Sequence, residues 1–193
     1  MIKESIFDEI HDCLGSFRCL LHAVSNPGEI MHIGEYAQKL EGENSAMLVL
    51  ALTFLDKETS YWVADNEEFS KTLAELTYSR LAEEKAGFIF ISGICSEEAI
   101  DSIFAKATPG SLVEPHTNSV LIIAVEDFVQ KSTCSLKGPG IKASKAVGLS
   151  DYAKKWLNKR DSMEYEYPTG VDLVFISSDG AMIAIPRKVK MEG

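Results

Sequence analysis

The run VLIIAV, residues Val120–Val125, decides the fold class, because all six of its side chains are apolar. A strand with one face in water alternates apolar and polar residues, whereas a continuous apolar run predicts a strand buried on both faces. Two further runs share this character, GFIFIS at 87–92 and VDLVFI at 171–176. Because such strands need helices on each side, these runs predict a sheet covered by helices on both faces.

Working outward from these strands, the remaining pattern predicts an α/β protein with three layers and a mixed β-sheet. A last strand at 182–185 follows 171–176 across Asp179-Gly180, a pair typical of a hairpin turn. Short strands are also expected at 29–33 and 60–64. The predicted helices cover residues 6–24, 46–55, 67–84, 97–106 and 150–160. No repeat or long linker divides the chain, so a single domain over 1–193 is expected.

The first predicted helix carries one apolar stripe, because its apolar residues recur at three- and four-residue steps. Ser5 is its predicted N-cap, and Asn26-Pro27-Gly28 ends it. Gly15 is expected to bend or interrupt the helix, at about 1 kcal/mol relative to Ala. The stripe consists of Ile6, Phe7, Ile10, Cys13, Leu14, Phe17, Leu20, Leu21 and Val24.

The charge balance argues against nucleic acid and membrane surfaces as partners. The 193 residues include 19 Lys and Arg against 29 Asp and Glu, a net charge of −10, which repels phosphate backbones and anionic lipid. The longest apolar run, 46–55, is shorter than the ~20 residues that span a bilayer. The first residues contain acids where a signal peptide has an apolar core. We therefore expect a cytoplasmic protein.

The cysteines and histidines do not form a complete metal site. Cys19 and His22 lie one helical turn apart and offer two ligands, but catalytic zinc normally has three protein ligands. His11 and His22 are ~16 Å apart along a helix, too far to share an ion. No metal site is therefore expected. The cysteines lack C-x-x-C spacing and are expected to be buried, reduced thiols: Cys13, Cys19, Cys95 and Cys134.

Motifs for an independent reaction centre are missing, so no catalytic residue is assigned. The chain has no GxxxxGK[ST], no GxGxxG after a strand and no GxSxG. It also has no Ser-x-x-Lys, the spacing often found around a Schiff-base lysine. Gly138-Pro139-Gly140 favours a tight structural turn, because Pro139 lacks the amide that would bind phosphate. Gly138 and Gly140 remain candidate anion or nucleotide contacts.

Three charged residues stand among apolar neighbours. Asp172 interrupts VDLVF, Arg187 follows AIP, and Arg18 lies between Phe17 and Cys19. A charge in such a place is usually paired or faces outward, so structural pairing or an edge position is the favoured interpretation. Anion binding by Arg18 or Arg187 is the alternative.

Six short and largely structural segments of the chain are informative together: FRCLLHAVSNPGEI (17–30), SAMLVLALTFLDKETSYWV (45–63), TPGSLVEPHTNSVLIIAVE (108–126), LKGPGI (136–141), YPTGVDLVF (167–175) and AIPR (184–187). They occur in the order and spacing of the PhnH family of the bacterial carbon–phosphorus lyase system, and the chain resembles that family from Phe17 to Arg187. The resemblance rests on all six segments being in register. Tyr167 stands where the family often has Phe.

This resemblance implies a fold similar to the large domain of pyridoxal-phosphate-dependent transferases, without the cofactor or its lysine. It implies a homodimer that joins PhnG, PhnI and PhnJ in a core complex. With PhnL, that machinery lets an alkylphosphonate displace adenine from ATP, giving α-D-ribose 1-phosphonate 5-triphosphate, and PhnJ later breaks the carbon–phosphorus bond. The family supplies no catalytic residue for this subunit.

Three hypotheses follow. The chain is an accessory subunit of that machinery, which contacts partner subunits and, with them, ATP and phosphonate. Alternatively it is an independent pyridoxal-phosphate enzyme, or a purely structural homodimer without nucleotide contact.

Overall fold

The computed structural model describes residues 6–64, 66–128 and 133–192, so the predicted N-cap Ser5 lies outside the described residues. The helices are α1 His11–Ser25, α2 Gly34–Ala37, α3 Ser45–Phe54, α4 Glu67–Thr77, α5 Glu97–Lys106 and α6 Asp151–Ser162, with a 3-10 turn at Pro115–Thr117. The strands are β1 Met31–His32, β2 Ser60–Ala64, β3 Arg80–Leu81, β4 Phe88–Ile91, β5 Val120–Val125, β6 Thr133–Lys137, β7 Lys145–Gly148, β8 Asp172–Ser177, β9 Ala181–Ile185 and β10 Lys190–Glu192.

A mixed sheet of seven strands forms the middle of the molecule, as the sequence predicts. Its order is β1-β9-β8-β5-β4-β2-β3, and β8, β5, β4, β2 and β3 run parallel. The hairpin through Asp179-Gly180 reverses the chain, so β9 pairs antiparallel with β8, and β1 pairs antiparallel with β9. The prediction of an α/β fold with a mixed sheet is confirmed.

Each face of this sheet packs against its own hydrophobic core. Helices α1 to α4 cover one face, where Tyr61, Phe90 and Ile122 are buried. Helices α5 and α6 cover the other face, where Ile89, Leu121 and other side chains from alternate positions are buried. The continuous apolar runs are therefore explained, because both sides of each central strand lie in a core.

A second, antiparallel sheet in the order β10-β6-β7 lies outside the sequence prediction, which expected 135–137 to lead into a turn. Its buried members, Leu136 and Val147, join the core under α5 and α6. The strands are three to five residues long and mix polar with apolar side chains. Such short runs carry little periodic signal.

Two predicted elements end earlier in the structure. Helix α4 stops at Thr77 rather than at residue 84, because Tyr78 adopts a left-handed conformation with φ 54° that interrupts the helix. The chain then forms β3, parallel to β2. The strand expected at 29–33 is reduced to β1.

Helix α1 is continuous across Gly15, so the predicted interruption of the helix is wrong. A Cβ at this position would lie 2.2 Å from the Tyr36 hydroxyl oxygen, so the glycine lets the ring of Tyr36 pack directly on the helix. No helix in the described ranges is both long and apolar enough to cross a membrane.

Candidate functional site

A cavity of about 530 Å³ lies where the neighbouring parallel strands β4, β5 and β8 end. Ligands of open α/β sheets bind outside the carboxyl ends of the strands, so this cavity is the first place to look for a site. Ser92, Glu126 and Ser178, each just beyond one of these strands, line the cavity, and the N-terminal ends of α3 and α6 close its sides with Asn44 and Ser150.

The charged side chains among those that line the cavity are carboxylates, Glu43 and Glu126, and no lining side chain of the described residues is basic. Tyr152 adds a phenol whose oxygen accepts a hydrogen bond from the Cys95 amide at 3.1 Å and donates one to the Gly93 carbonyl at 3.1 Å. Burial raises the pKa of Tyr152, so this hydroxyl stays protonated. The cavity is therefore acidic and rich in hydroxyl groups.

This lining fits a neutral or cationic group better than a phosphate. A phosphate here would meet two carboxylates and, among the described lining residues, no basic side chain to offset them. Pyridoxal phosphate needs a lysine for its aldehyde and a partner for its phosphate, and the described lining residues supply neither a lysine nor a basic side chain. The residues of this cavity do not fit that cofactor.

A polar network lies at the opposite, amino edge of the sheet, where three of the segments that carry the resemblance meet. Asp172, at the start of β8, accepts the Arg187 backbone amide at 2.7 Å and the Asn118 side-chain amide at 2.7 Å. The Arg187 guanidinium donates to the Pro115 carbonyl at 2.6 Å and to the Asn118 side chain. The pairing expected for Asp172 is thus present, and Arg187 links its own segment to the loop before β5 and to the start of β8.

The four predicted anion contacts do not form one site. Arg18 is exposed on α1 and makes no hydrogen bond or ion pair with the described residues. A Cβ on Gly140 would touch Pro27, and one on Gly138 would touch the Lys188 backbone, so this turn packs tightly between two segments. Arg187, whose side chain is 22% exposed, points to Pro115 and Asn118 instead. Anion binding by any of the four stays a prediction.

No cluster of three or more metal-binding side chains is present in the part of the chain that the structure describes. The two potential ligands considered from sequence, Cys19 and His22, have different partners. His22 Nε2 lies 2.9 Å from a Glu29 carboxylate oxygen, and Cys19 Sγ lies 3.8 Å from the His32 carbonyl oxygen. All four cysteines are free and half-buried rather than buried, and burial raises the pKa of Cys13, Cys19 and Cys134.

A third feature is the outer face of α1, whose exposure to solvent was not predicted from the sequence. Several large apolar side chains of the predicted stripe point to solvent rather than into the core. We call them the α1 seam: Ile10, Leu14, Phe17, Leu21 and Val24, exposed by 76%, 45%, 47%, 53% and 43%. Their order of spacing, four, three, four, three, was visible in the sequence, but their direction was not.

These features define the structural class of the protein. It is a three-layer α/β domain with an acidic cavity at the carboxyl edge of its sheet and an apolar helix face toward solvent. Comparison with known proteins then gives the family. Residues 5–192 match the family described as bacterial phosphonate metabolism protein (PhnH), and the chain belongs to that family. The resemblance seen in the six segments is confirmed.

Two curated relatives cover most of the chain. It is 26% identical over 174 residues to the putative C-P lyase subunit protein HtxG of Stutzerimonas stutzeri, covering 89% of this chain and 82% of that protein. It is 24% identical over 190 residues to the alpha-D-ribose 1-methylphosphonate 5-triphosphate synthase subunit PhnH of Rhizobium meliloti (strain 1021), covering 96% of this chain and 92% of that protein. Both relatives are named as subunits of a larger enzyme system.

Proposed function

We propose that this chain is an accessory subunit of a carbon–phosphorus lyase core complex. The complex would form α-D-ribose 1-phosphonate 5-triphosphate from ATP and an alkylphosphonate, with adenine displaced. The family match over residues 5–192 and the subunit names of both relatives support the assignment. Its partners are the PhnG, PhnI and PhnJ counterparts, and its compartment is the cytoplasm.

One observation favours an accessory role over independent catalysis. The cavity where an open α/β sheet ordinarily binds its ligand has two carboxylates and no basic side chain among its described lining residues. ATP and a phosphonate together bring many negative charges, which such a lining repels. The chain therefore contributes to the reaction through contacts with other subunits that bind the polyphosphate.

Reconstitution tests this proposal directly. We expect no adenine release from ATP and methylphosphonate with the chain alone, release with the chain plus its PhnG, PhnI and PhnL counterparts, and a large loss when this chain is omitted. Full adenine release without this chain would refute the proposal.

The remaining features of the proposal come from the resemblance. They are a homodimer and a likeness to the large domain of pyridoxal-phosphate-dependent transferases without the cofactor. The independent pyridoxal-phosphate enzyme is tested by incubating the chain with the cofactor and borohydride. A covalent adduct at a lysine, seen by mass spectrometry, would support that enzyme and contradict the accessory role. Melting temperature during titration with ATP separates the accessory subunit from a purely structural homodimer.

A further inference from the structure

The second sheet brings together lysines that are far apart in the sequence. Strand β10 pairs antiparallel with β6, and Lys190 lies directly opposite Lys137. Residues directly opposite each other in such a pair have their side chains on the same face of the sheet. Because Leu136, the neighbour of Lys137 in β6, is buried in the core, this face is the outer one. Both lysines are exposed there.

Two further lysines adjoin this pair. Lys142 lies in the loop that follows β6, is exposed, and lines a shallow depression of about 420 Å³ together with Lys137. Lys188 lies two residues before Lys190 and is half-buried. We call these four side chains the basic face: Lys137, Lys142, Lys188 and Lys190.

Glu192 balances part of the charge of the basic face. Its carboxylate lies 3.7 Å from Lys137 Nζ and accepts a hydrogen bond from the Ser135 hydroxyl at 2.9 Å. Lys137 and Lys190 repel each other across the strand pair, and one carboxylate beside them offsets one of the two charges. An excess of positive charge therefore remains on the outer face of β6 and β10.

The charges around Lys188 have the same sign. Burial lowers the pKa of its ammonium group, and the positive charges of Lys190, Arg187 and Arg160 lower it further. In the whole chain acids outnumber bases by 29 to 19, so the fold concentrates positive charge here against the overall balance. Like charges held together on the free chain are offset when a partner of opposite charge binds.

We propose that the basic face binds an acidic, extended segment of a partner polypeptide. The four ammonium groups are spread over two strands and a loop, so they match carboxylates that are also spread along a chain. A small anion is held better where donors converge, and Pro139, in the turn after Lys137, has no amide to donate. Nucleic acid and anionic lipid fit less well, since the net charge of −10 repels both at long range. This inference rests on the accessory role proposed above and gives that role a contact surface.

Fluorescence anisotropy with a labelled oligoglutamate peptide tests the basic face in the full chain. We expect binding that weakens at least about tenfold when the salt concentration rises from about 50 to about 300 mM, because exposed charges are screened. Lys137→Glu combined with Lys190→Glu is expected to weaken binding at least about tenfold at low salt, because it reverses two charges of the face. The matched control is Lys57→Glu combined with Lys71→Glu, which changes the net charge equally at two exposed lysines outside the face. The control is expected to bind the peptide within about twofold of wild type.

A milder variant keeps the test decisive if charge reversal unfolds the chain, as judged by circular dichroism. Lys137→Gln combined with Lys190→Gln is expected to weaken binding about threefold. Inorganic polyphosphate is the competing probe. The inference is overturned if the wild type does not bind oligoglutamate, if the charge-reversed variant binds it as well as the control does, or if the chain binds polyphosphate and not oligoglutamate.

Capture of the other subunits and adenine release separate this inference from the proposed function. On co-expression with the PhnG, PhnI and PhnJ counterparts, the charge-reversed variant is expected to retain them at least about tenfold less well than the control variant does. If adenine release requires the chain but the charge-reversed variant still retains the other subunits, the inference fails and the proposed function stands. If adenine release does not require the chain but the basic face binds oligoglutamate, the proposed function fails and the binding surface stands.

Discussion

Arg160 is a charged side chain that the core has enclosed, with only 2% of its surface exposed. It lies on α6, and its guanidinium donates to the carbonyl of Ile185 at 2.9 Å, to the carbonyl of Val189, and to the Asp161 carboxylate at 2.8 Å. Burial lowers the pKa of Arg160, and the charge of Asp161 opposes that effect. One side chain thus ties α6 to β9 and to the segment before β10.

Replacing Arg160 is therefore expected to lower the free energy of unfolding strongly. Arg160→Met leaves buried carbonyl groups without donors and Asp161 without its partner, and we expect a loss of about 3–5 kcal/mol. Urea unfolding measures it. The control is Lys155→Met on the same helix, whose exposed pair with Glu97 at 3.1 Å contributes less than about 1 kcal/mol. Equal effects of the two substitutions would contradict this account of Arg160.

Asp12 gives the fold a specific dependence on pH. Burial raises the pKa of its carboxyl, but the hydrogen bond from Lys39 and the one from the Asp8 amide at 2.8 Å lower it more, so the pKa lies below its ordinary value. The folded state therefore holds the ionised form more firmly than the unfolded state does. The resulting stability is complete above the unfolded pKa, near 4, and is lost as the pH falls through the folded value.

The prediction concerns Asp12→Asn. At pH 7 we expect it to lower the free energy of unfolding by about 1–3 kcal/mol, because the charged hydrogen bond to Lys39 is lost. The difference from wild type is expected to shrink as the pH falls below about 4, where Asp12 takes up a proton. Glu75→Gln, at an exposed position of α4, is the control and should track the wild type at each pH. A difference independent of pH would show that the charge of Asp12 is not the cause.

At the scale of helices and strands, Asn66 links the start of helix α4 to the segment just after strand β4. Its side-chain oxygen accepts the Phe69 amide at 2.9 Å and caps α4, while its side-chain nitrogen donates to Ser92 Oγ at 2.8 Å beyond β4. Asn66→Ala is expected to lower the free energy of unfolding by about 1–2 kcal/mol. Asn66→Ser keeps a good cap but not the link to Ser92, so the difference between the two variants measures the cap alone. If both lose the same amount, the cap contributes nothing.

The long strands of this fold can be predicted from the sequence, because a strand buried on both faces is a continuous run of apolar residues. The predicted boundaries of β2, β5 and α5 agree with the structure, and for α5 the capping oxygen of Ser96 accepts the Ala99 amide at 3.3 Å as expected. Tyr78 is the opposite case. A tyrosine with positive φ has no local sequence signal, so nothing along the chain marks the end of α4.

The candidate site was harder to predict, because it depends on which way side chains face. The spacing of residues in α1 gave the seam but not its direction, which Gly15 and Tyr36 fix through a tertiary contact. Arg187 was recognised as unusual, yet its partners Pro115 and Asn118 are about 70 residues away along the chain. The cavity at the carboxyl edge gathers residues from five separate segments, and no single motif in the sequence marks it.

At the scale of the whole molecule, the second sheet packs against the hydrophobic core beneath α6. Strand β10 pairs with β6 through three residues, Val189 just before it is fully buried, and the Met191 amide donates to Asp161 at 2.9 Å. These contacts join the end of the described chain to α6 and to β6, two segments far apart in sequence. The domain therefore depends on residues that follow the last strand of the main sheet.

Removal of residues 189–193 tests this dependence. We expect a loss of about 3 kcal/mol or more, because the buried Val189 side chain alone contributes roughly 1.5–3 kcal/mol and the edge of β6 is left unpaired. Since domains of this size have a total stability of about 5–15 kcal/mol, the shortened chain should unfold at much lower urea concentration. Lys190→Ala with Glu192→Ala is the control, because both side chains are exposed and the backbone pairing is kept. The free energy of unfolding of that double variant is expected to stay within about 1 kcal/mol of wild type. If the double variant lost as much stability as the shortened chain, the surface charges rather than the strand would be the cause.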